Sequence, residues 1–223
     1  MLSILRALWQ ADGTFPSGSF AFSYGLEGAI ALQPPLQVDD FAQLMTSVIR
    51  HRWASFDRIA LVHAFRSDGD LRTIANLDLE VEASTLFAAL RLGSRRNGGS
   101  FLASHARLGN ELAIRLREAV RAGECLGHIA VMQGVIWRSV GLDEQLAQLT
   151  SGYSVASSLV TAAVRLGAVS VLQGQAVLRD RLPLIERLAA EPVTDTDGMQ
   201  SFVPFLDLAS ARHEQADLKL FAN

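Results

Sequence analysis

One cysteine, Cys125, stands in 223 residues, so no disulfide can form within the chain. Lysine is as scarce: Lys219 is the only one. A Walker-type nucleotide hydrolase needs a lysine after a glycine-rich turn to reach the terminal phosphates, and Lys219 lies between leucines near the C-terminus, which excludes that class. There is no basic excess either. With 20 Lys and Arg against 23 Asp and Glu, a net charge of −3 and a pI near 5.9, the chain has no electrostatic footprint for a phosphate backbone. A nucleic-acid binder is not expected. The opening "MLSILRALWQADG" lacks the basic region, long apolar core and small-residue cleavage site of a secretory signal, so the sequence reads as cytoplasmic. Residues 145–164 carry no charge and have the length of a membrane span, but their Gln, Ser and Thr content fits a helix buried against close neighbours, so no membrane association is expected.

What is abundant is apolar residue at helical spacing. Hydrophobic residues make up 49% of the chain, enough for a substantial core. They recur at three- and four-residue steps, as in Phe41, Leu44, Met45, Val48 and Ile49, or Leu112, Leu116, Ala119 and Val120, and no alternating strand pattern of comparable length appears. The spacing predicts helices near 2–10, 19–32, 39–52, 55–67, 70–76, 79–96, 100–122, 127–139, 143–166, 169–189 and 205–221. Asp39 is expected to cap the third, "NGGS" at 97–100 to end a long one, and Pro183 to kink the tenth. The expected fold is all-α: a single-domain bundle of roughly ten helices over residues 1–190, a linker at 191–204 containing "EPVTDTDGM", and a C-terminal helical arm at 205–223.

Several stretches carry possible chemistry. "LGSRRNGGSF" could cradle an anion through backbone amides and Arg95 or Arg96, but reads better as a helix-terminating turn with solvated arginines. His51, His63, His105, His128 and His213 are scattered singly, and metal ligands must converge. The "HE" of the last segment begins like a zinc-peptidase motif, yet four residues after His213 comes Asp217 and not a second histidine. A metal-dependent hydrolase using His213 and Asp217 as ligands and Glu214 as base is therefore a weaker reading with an incomplete ligand set. No cofactor, resident metal or catalytic residue is expected.

Two stretches look like partner surfaces. "TFPSGSFAFSYGLEGAI", residues 14–30, runs from a Pro-Ser-Gly turn into a helix whose Phe20, Phe22 and Tyr24 cannot all face one way. In the last segment, a turn of about 100° per residue puts His213, Asp217 and Leu220 on one side and Leu208 and Leu218 on others. A helix apolar on two faces buries one on its own bundle and needs a second protein for the other.

Taken together these stretches resemble the UreF family of urease accessory proteins. "LWQADGTFPSGSFAFSYGLE" is similar to the family's Leu-Pro-x-Gly-x-Phe-x-x-Ser-x-Gly-Leu-Glu signature, and "DLASARHEQADLKLF" to its Asp-x-x-x-x-x-His-Glu-x-x-x-x-Arg-Leu-Phe ending. Between them, the segment opening "GHIAVMQG" resembles the family's Gly-His…Gly helix and the long small-residue helix after it. Ser17, Ile129 and Lys219 depart from the usual Val or Ile, Pro and Arg. The resemblance implies an all-α accessory protein without catalysis of its own, usually a homodimer. It would join UreD (also called UreH) and the GTPase UreG on apo-urease for nickel insertion. By the same resemblance, Arg212, His213, Glu214, Lys219, Leu220 and Phe221 would dock the arm into UreD. Phe15, Pro16, Ser17, Gly18, Phe20, Tyr24 and Glu27 would lie near the face that meets UreG.

Overall fold

The computed structural model describes residues 1–17, 25–32 and 36–213, the last three by their backbone only; Gly18, Phe20, Tyr24, Glu214, Asp217, Lys219, Leu220 and Phe221 lie outside the described residues. Within them the chain is all-α, with no strand. α1 (Leu2–Ala11) and α2 (Leu26–Leu32) precede α3 (Val38–Val48), which passes through a π-helical segment (Ile49–Asp57) into α4 (Arg58–Arg66). The backbone stays helical at both joins, so one rod runs from Val38 to Arg66. α5 (Leu71–Ser84), α6 (Ala88–Arg107), α7 (Glu111–Ala122), α8 (Ile129–Ser139), α9 (Glu144–Arg165), α10 (Val171–Ala190) and α11 (Pro204–His213) follow.

The rod joins two apolar clusters. Its later half, from Phe56 to Phe65, packs with Ile74, Leu116, Val131 and Trp137 of α5, α7 and α8. Its earlier half, with Phe41, Met45 and Trp53, packs with Leu159 of α9, Ile185 of α10 and Leu206 of α11. α9 spans both, contributing Ala147 to one cluster and Val155 onward to the other.

Several helix starts are capped by short polar side chains, with Asp70, Asn110 and Asp143 each accepting the N–H three residues on. Ser170 and Gln173 close a reciprocal capping box on α10, which continues through Pro183 to Ala190. The break expected at 53–54 is absent, since the rod is helical throughout, and three other boundaries differ from the sequence expectation. The cap of α3 is Gln37, whose N–H donates to Asp40, so Asp39 lies inside the first turn. The break expected near 77–78 falls instead at Thr85–Phe87, where Thr85 turns its hydroxyl back to the Val81 carbonyl and Arg91 donates to the carbonyls of Thr85 and Leu86. The break expected at 97–100 falls instead at Leu108–Asn110.

"NGGS" is thus helix interior and no anion-cradling loop exists there. Glycine at position 98 serves packing: a Cβ there would collide with the Gly127 carbonyl, so the pair lets α6 touch the backbone leading into α8. Arg95 reaches Glu82 at 3.7 Å, which further removes it from anion binding.

Candidate functional site

The N- and C-terminal stretches singled out in the sequence converge. Gly25 has a left-handed backbone (φ 79°), and a Cβ on it would strike the Ser210 hydroxyl and sit 2.9 Å from the Leu206 carbonyl. Only glycine allows α11 to lie this close to the start of α2. Leu26, Gly28 and Ala29 then face the core, and Glu27 is half-buried.

The route into α11 is fixed by the rod. Residues 191–203, which have no secondary structure beyond a turn, are held along α4 and the π-helical segment. Buried Arg58 donates to Gln148 (2.9 Å) and to the Glu191 carbonyl (2.8 Å). Arg66 grips Glu144 through two bonds of 2.8 Å and donates a third to the Val193 carbonyl, and His63 meets the Thr194 carbonyl at 3.2 Å. Further on, the Ser55 hydroxyl donates to the Gln200 carbonyl, and the N–H groups of Gln200 and Phe202 donate to the carbonyls of Ser55 and His51. The backbone of this stretch, expected from its composition to be the linker, is tied to the bundle at five residues.

α11 buries Leu206, Ala209 and Ser210 against the bundle. Its other side is apolar as well: Phe205 and Leu208 are 44% and 55% exposed, and Phe202 just before it is 76% exposed. A groove of about 420 Å³ runs beside them, lined by Leu36, Leu44, His51 and Phe205 among others. Beneath the helix lies a charged floor. Arg52 pairs with Asp57 at 3.1 Å and stacks 4.0 Å above the Phe56 ring. Burial raises the Asp57 pKa, with Arg52 opposing the shift, and raises that of Asp207 on α11 for the same reason.

At the other end of the signature, Phe15 is buried and packs edge-on to Trp9 (5.3 Å between centroids), with His105 at 5.2 Å and Phe101 at 6.4 Å. Its side chain secures the turn from within. Pro16 is exposed and its carbonyl accepts from Ser104 at 2.6 Å; the Ser17 N–H donates to the Phe15 carbonyl. Under the turn, the Gln10 carbonyl oxygen accepts from Trp137 Nε1 (2.8 Å) and faces His105 Nε2 at 3.0 Å. Burial lowers the His105 pKa to about 4, so the ring is neutral at pH 7 and donates to Gln10 from Nε2.

The Gly127-His128 pair forms a buried anchor. Asp78, fully buried, accepts the N–H groups of Leu126, Gly127 and His128 at 2.7, 2.6 and 2.8 Å. His128 is sandwiched between Ser94 (3.0 Å) and Glu82 (2.8 Å), and Glu82 also pairs with Arg91. Burial lowers the His128 pKa against the pull of Asp78 and Glu82. These contacts fill its bonding capacity and fit a structural role. Among the described residues no three His, Cys, Asp or Glu side chains gather to hold a metal. The His213, Glu214 and Asp217 set lies outside what is described, except for the backbone of His213, which is helical like that of Arg212.

Sequence reasoning missed Arg58, Arg66, Asp78 and Glu82. An arginine inside the apolar run "FDRIALVHAF" is the one local signal, since a charge there must find partners.

The sequence profile of the UreF family matches residues 37–181. Proteins named urease accessory protein UreF are similar along nearly the whole chain. The one from Trichodesmium erythraeum is 32% identical over 98% of this chain and 96% of its own, and one from Yersinia enterocolitica 27% identical over 99% and 98%. Urease accessory protein UreF 1 of Brucella melitensis is 28% identical over 99% and 92%. The profile stops short of both terminal stretches, and the full-length similarities extend over them. By profile and by full-length similarity, the chain belongs to the UreF family of urease accessory proteins.

Proposed function

We propose that this chain is a non-catalytic adaptor in the insertion of nickel into apo-urease, acting in the cytoplasm as a homodimer. It would bridge UreD and the GTPase UreG and modulate GTP hydrolysis by holding them in register. The reading rests on family membership, on a sequence without a P-loop, and above all on one observation: α11 is apolar on both sides and the bundle covers only one. Phe202, Phe205 and Leu208 form the face left over. Burying such side chains contributes about 1.5–3 kcal/mol each, so two or three can anchor a partner helix or groove.

In this reading the strap at 191–203 sets where α11 stands, and Arg212, His213, Glu214, Lys219, Leu220 and Phe221 extend the UreD surface. On the UreG side Pro16, Ser17, Gly18, Phe20, Tyr24 and Glu27 supply contacts, with Phe15 supporting them from the core. The test is a pull-down with purified UreD. Phe205→Asp combined with Leu208→Asp should weaken UreD binding at least tenfold, while lowering thermal stability only modestly because about half of each side chain faces solvent. UreD binding that survives this pair, and also survives removal of residues 205–223, refutes the assignment.

A further inference from the structure

Charge is spread unevenly along the chain. Residues 83–110 contain no Asp or Glu, and the stretch from Ala88 to Ala122, which is α6, its turn and α7, holds seven arginines against two glutamates. This hairpin therefore carries +5 on a chain of net charge −3, which leaves −8 on the remainder. Arg91 and Arg95 pair with Glu82, and Arg115 lies at the α5 side, beside Asp68 and Glu111. Arg96, Arg107, Arg117 and Arg121 are left. Among the described residues none of these four has a hydrogen bond or ion pair; three are exposed and Arg117 is half-buried.

The four fall on one surface. Gly127 touches both helices: a Cβ on Gly98 of α6 would collide with its carbonyl, and a Cβ on Gly127 itself would stand 3.3 Å from Val120 of α7. The end of α7 thus lies beside the middle of α6, as in an antiparallel pair. Leu112 marks the other edge of α7, where it meets Gly69. At about 100° per residue, Arg117, Arg121 and Ile114 follow Val120 around the helix and turn away from Leu112, so they border α6. On α6, Leu92, Arg96, Ala103 and Arg107 share an arc of about 60°, and the stretch from Arg96 to Arg107 is about 16 Å long. Gly99 between them has open space where a Cβ would stand.

We propose that this face of the α6–α7 hairpin docks a short acidic segment of a partner polypeptide, at a surface separate from α11 and the N-terminal turn. Guanidinium groups match carboxylates in a planar, two-point fashion, and here they stand without internal partners. Leu92 and Ile114, each 42% exposed, lie among them, the mixture of arginine and apolar side chains that protein interfaces favour. Extent selects the partner. A nucleic-acid duplex or an anionic membrane continues well past a patch of about 16 Å, over a remainder that carries −8 and repels it. An acidic segment of about five extended residues spans the patch and no more, and screening within about 8 Å hides the remainder from it.

Fluorescence anisotropy of a labelled decaglutamate peptide, titrated with the full chain at about 50 mM salt, tests the surface. The wild type should bind it saturably. Arg96→Glu with Arg117→Glu should weaken binding at least 20-fold with an unchanged helical circular dichroism spectrum. Arg72→Glu with Arg187→Glu changes net charge equally at two exposed arginines outside the hairpin, and should weaken binding less than threefold. A wild type that leaves the peptide free, or equal losses in the two pairs, overturns the proposal. So does a 20-base-pair DNA duplex or a phosphatidylserine vesicle bound as tightly as the peptide. If the reversed pair fails to fold, Arg96→Gln with Arg117→Gln decides: a loss of at least fivefold supports the surface, and unchanged binding overturns it.

Discussion

α8 and α11 are both delivered to the bundle by a stretch of non-helical chain, and they are secured in different ways. At α8 one buried carboxylate, Asp78, takes three successive N–H groups, and His128 behind it is clamped by Ser94 and Glu82. At α11 the work is spread along residues 191–203, over carbonyls that Arg58, Arg66 and His63 hold from the side, and over backbone bonds to Ser55 and His51. The first arrangement concentrates a charge in a dry site, where losing it strands three donors at once. The second distributes mostly neutral bonds near the surface, each of which water can replace. A helix that belongs to the core has the first kind of anchor; a helix that presents Phe205 and Leu208 outward has the second.

The contrast can be broken most severely at Asp78. Asp78→Ala should cost about 3–5 kcal/mol, because two buried N–H groups and a partly buried one lose a charged acceptor, and urea unfolding should show the midpoint falling accordingly. Arg58→Met should have a smaller effect, about 2–3 kcal/mol, and a local one. It frees the Gln148 amide and the Glu191 carbonyl, and hydrogen exchange should quicken at Gln200 and Phe202 before it does so in α8. An exchange pattern that changes equally in both places would mean that the strap and the core open together.

The two buried histidines extend the comparison to pH. His128 has Asp78 and Glu82 to offset its burial, whereas His105 has only Gln10 and aromatic rings, and its pKa falls to about 4 from 6.5. Between these values the unfolded chain binds a proton at this position that the folded chain does not. The contribution is therefore fully present above pH 6.5, is lost as pH falls towards 4, and changes no further below. It amounts to roughly 2 kcal/mol after allowance for solvent screening. His105→Gln should flatten the stability profile of the wild type over that window, and comparing the two removes the opposing drift from Asp57 and Asp207. Identical profiles would show that His105 is not the titrating group.

How much of this was legible beforehand varied by element. The long helices with regular apolar spacing, α8, α9 and α10, fall within two residues of their expected bounds, because period and cap are both local. The stretch from 70 to 122 was misdivided. Of the two adjacent glycines that are its strongest punctuation, Gly98 marks a close approach to Gly127 and neither marks a helix end, whereas the real ends depend on Arg91 reaching two carbonyls and on Asn110 starting α7. The join of α3 to α4 was missed for a related reason, since the π-helical segment shifts the apolar phase that marks a boundary in sequence. Of the candidate site, the motif residues could be named, but not that Gly25 and Ser210 would touch or that Phe15 would be interior.

By itself the sequence determined that this chain is helical, that it carries no P-loop lysine, and, through its motifs, the family to which it belongs. These follow from residue inventory and short-range spacing, which need no partner in space. Only the tertiary structure decided which side of each amphipathic helix is covered. α1 shows why: its apolar arc is plain in the sequence, yet Gln10 is drawn inward by Trp137 and His105, 127 and 95 residues away, and the leucines are left facing out. The periodicity of a helix says that it has two faces, and the long-range bonds choose between them.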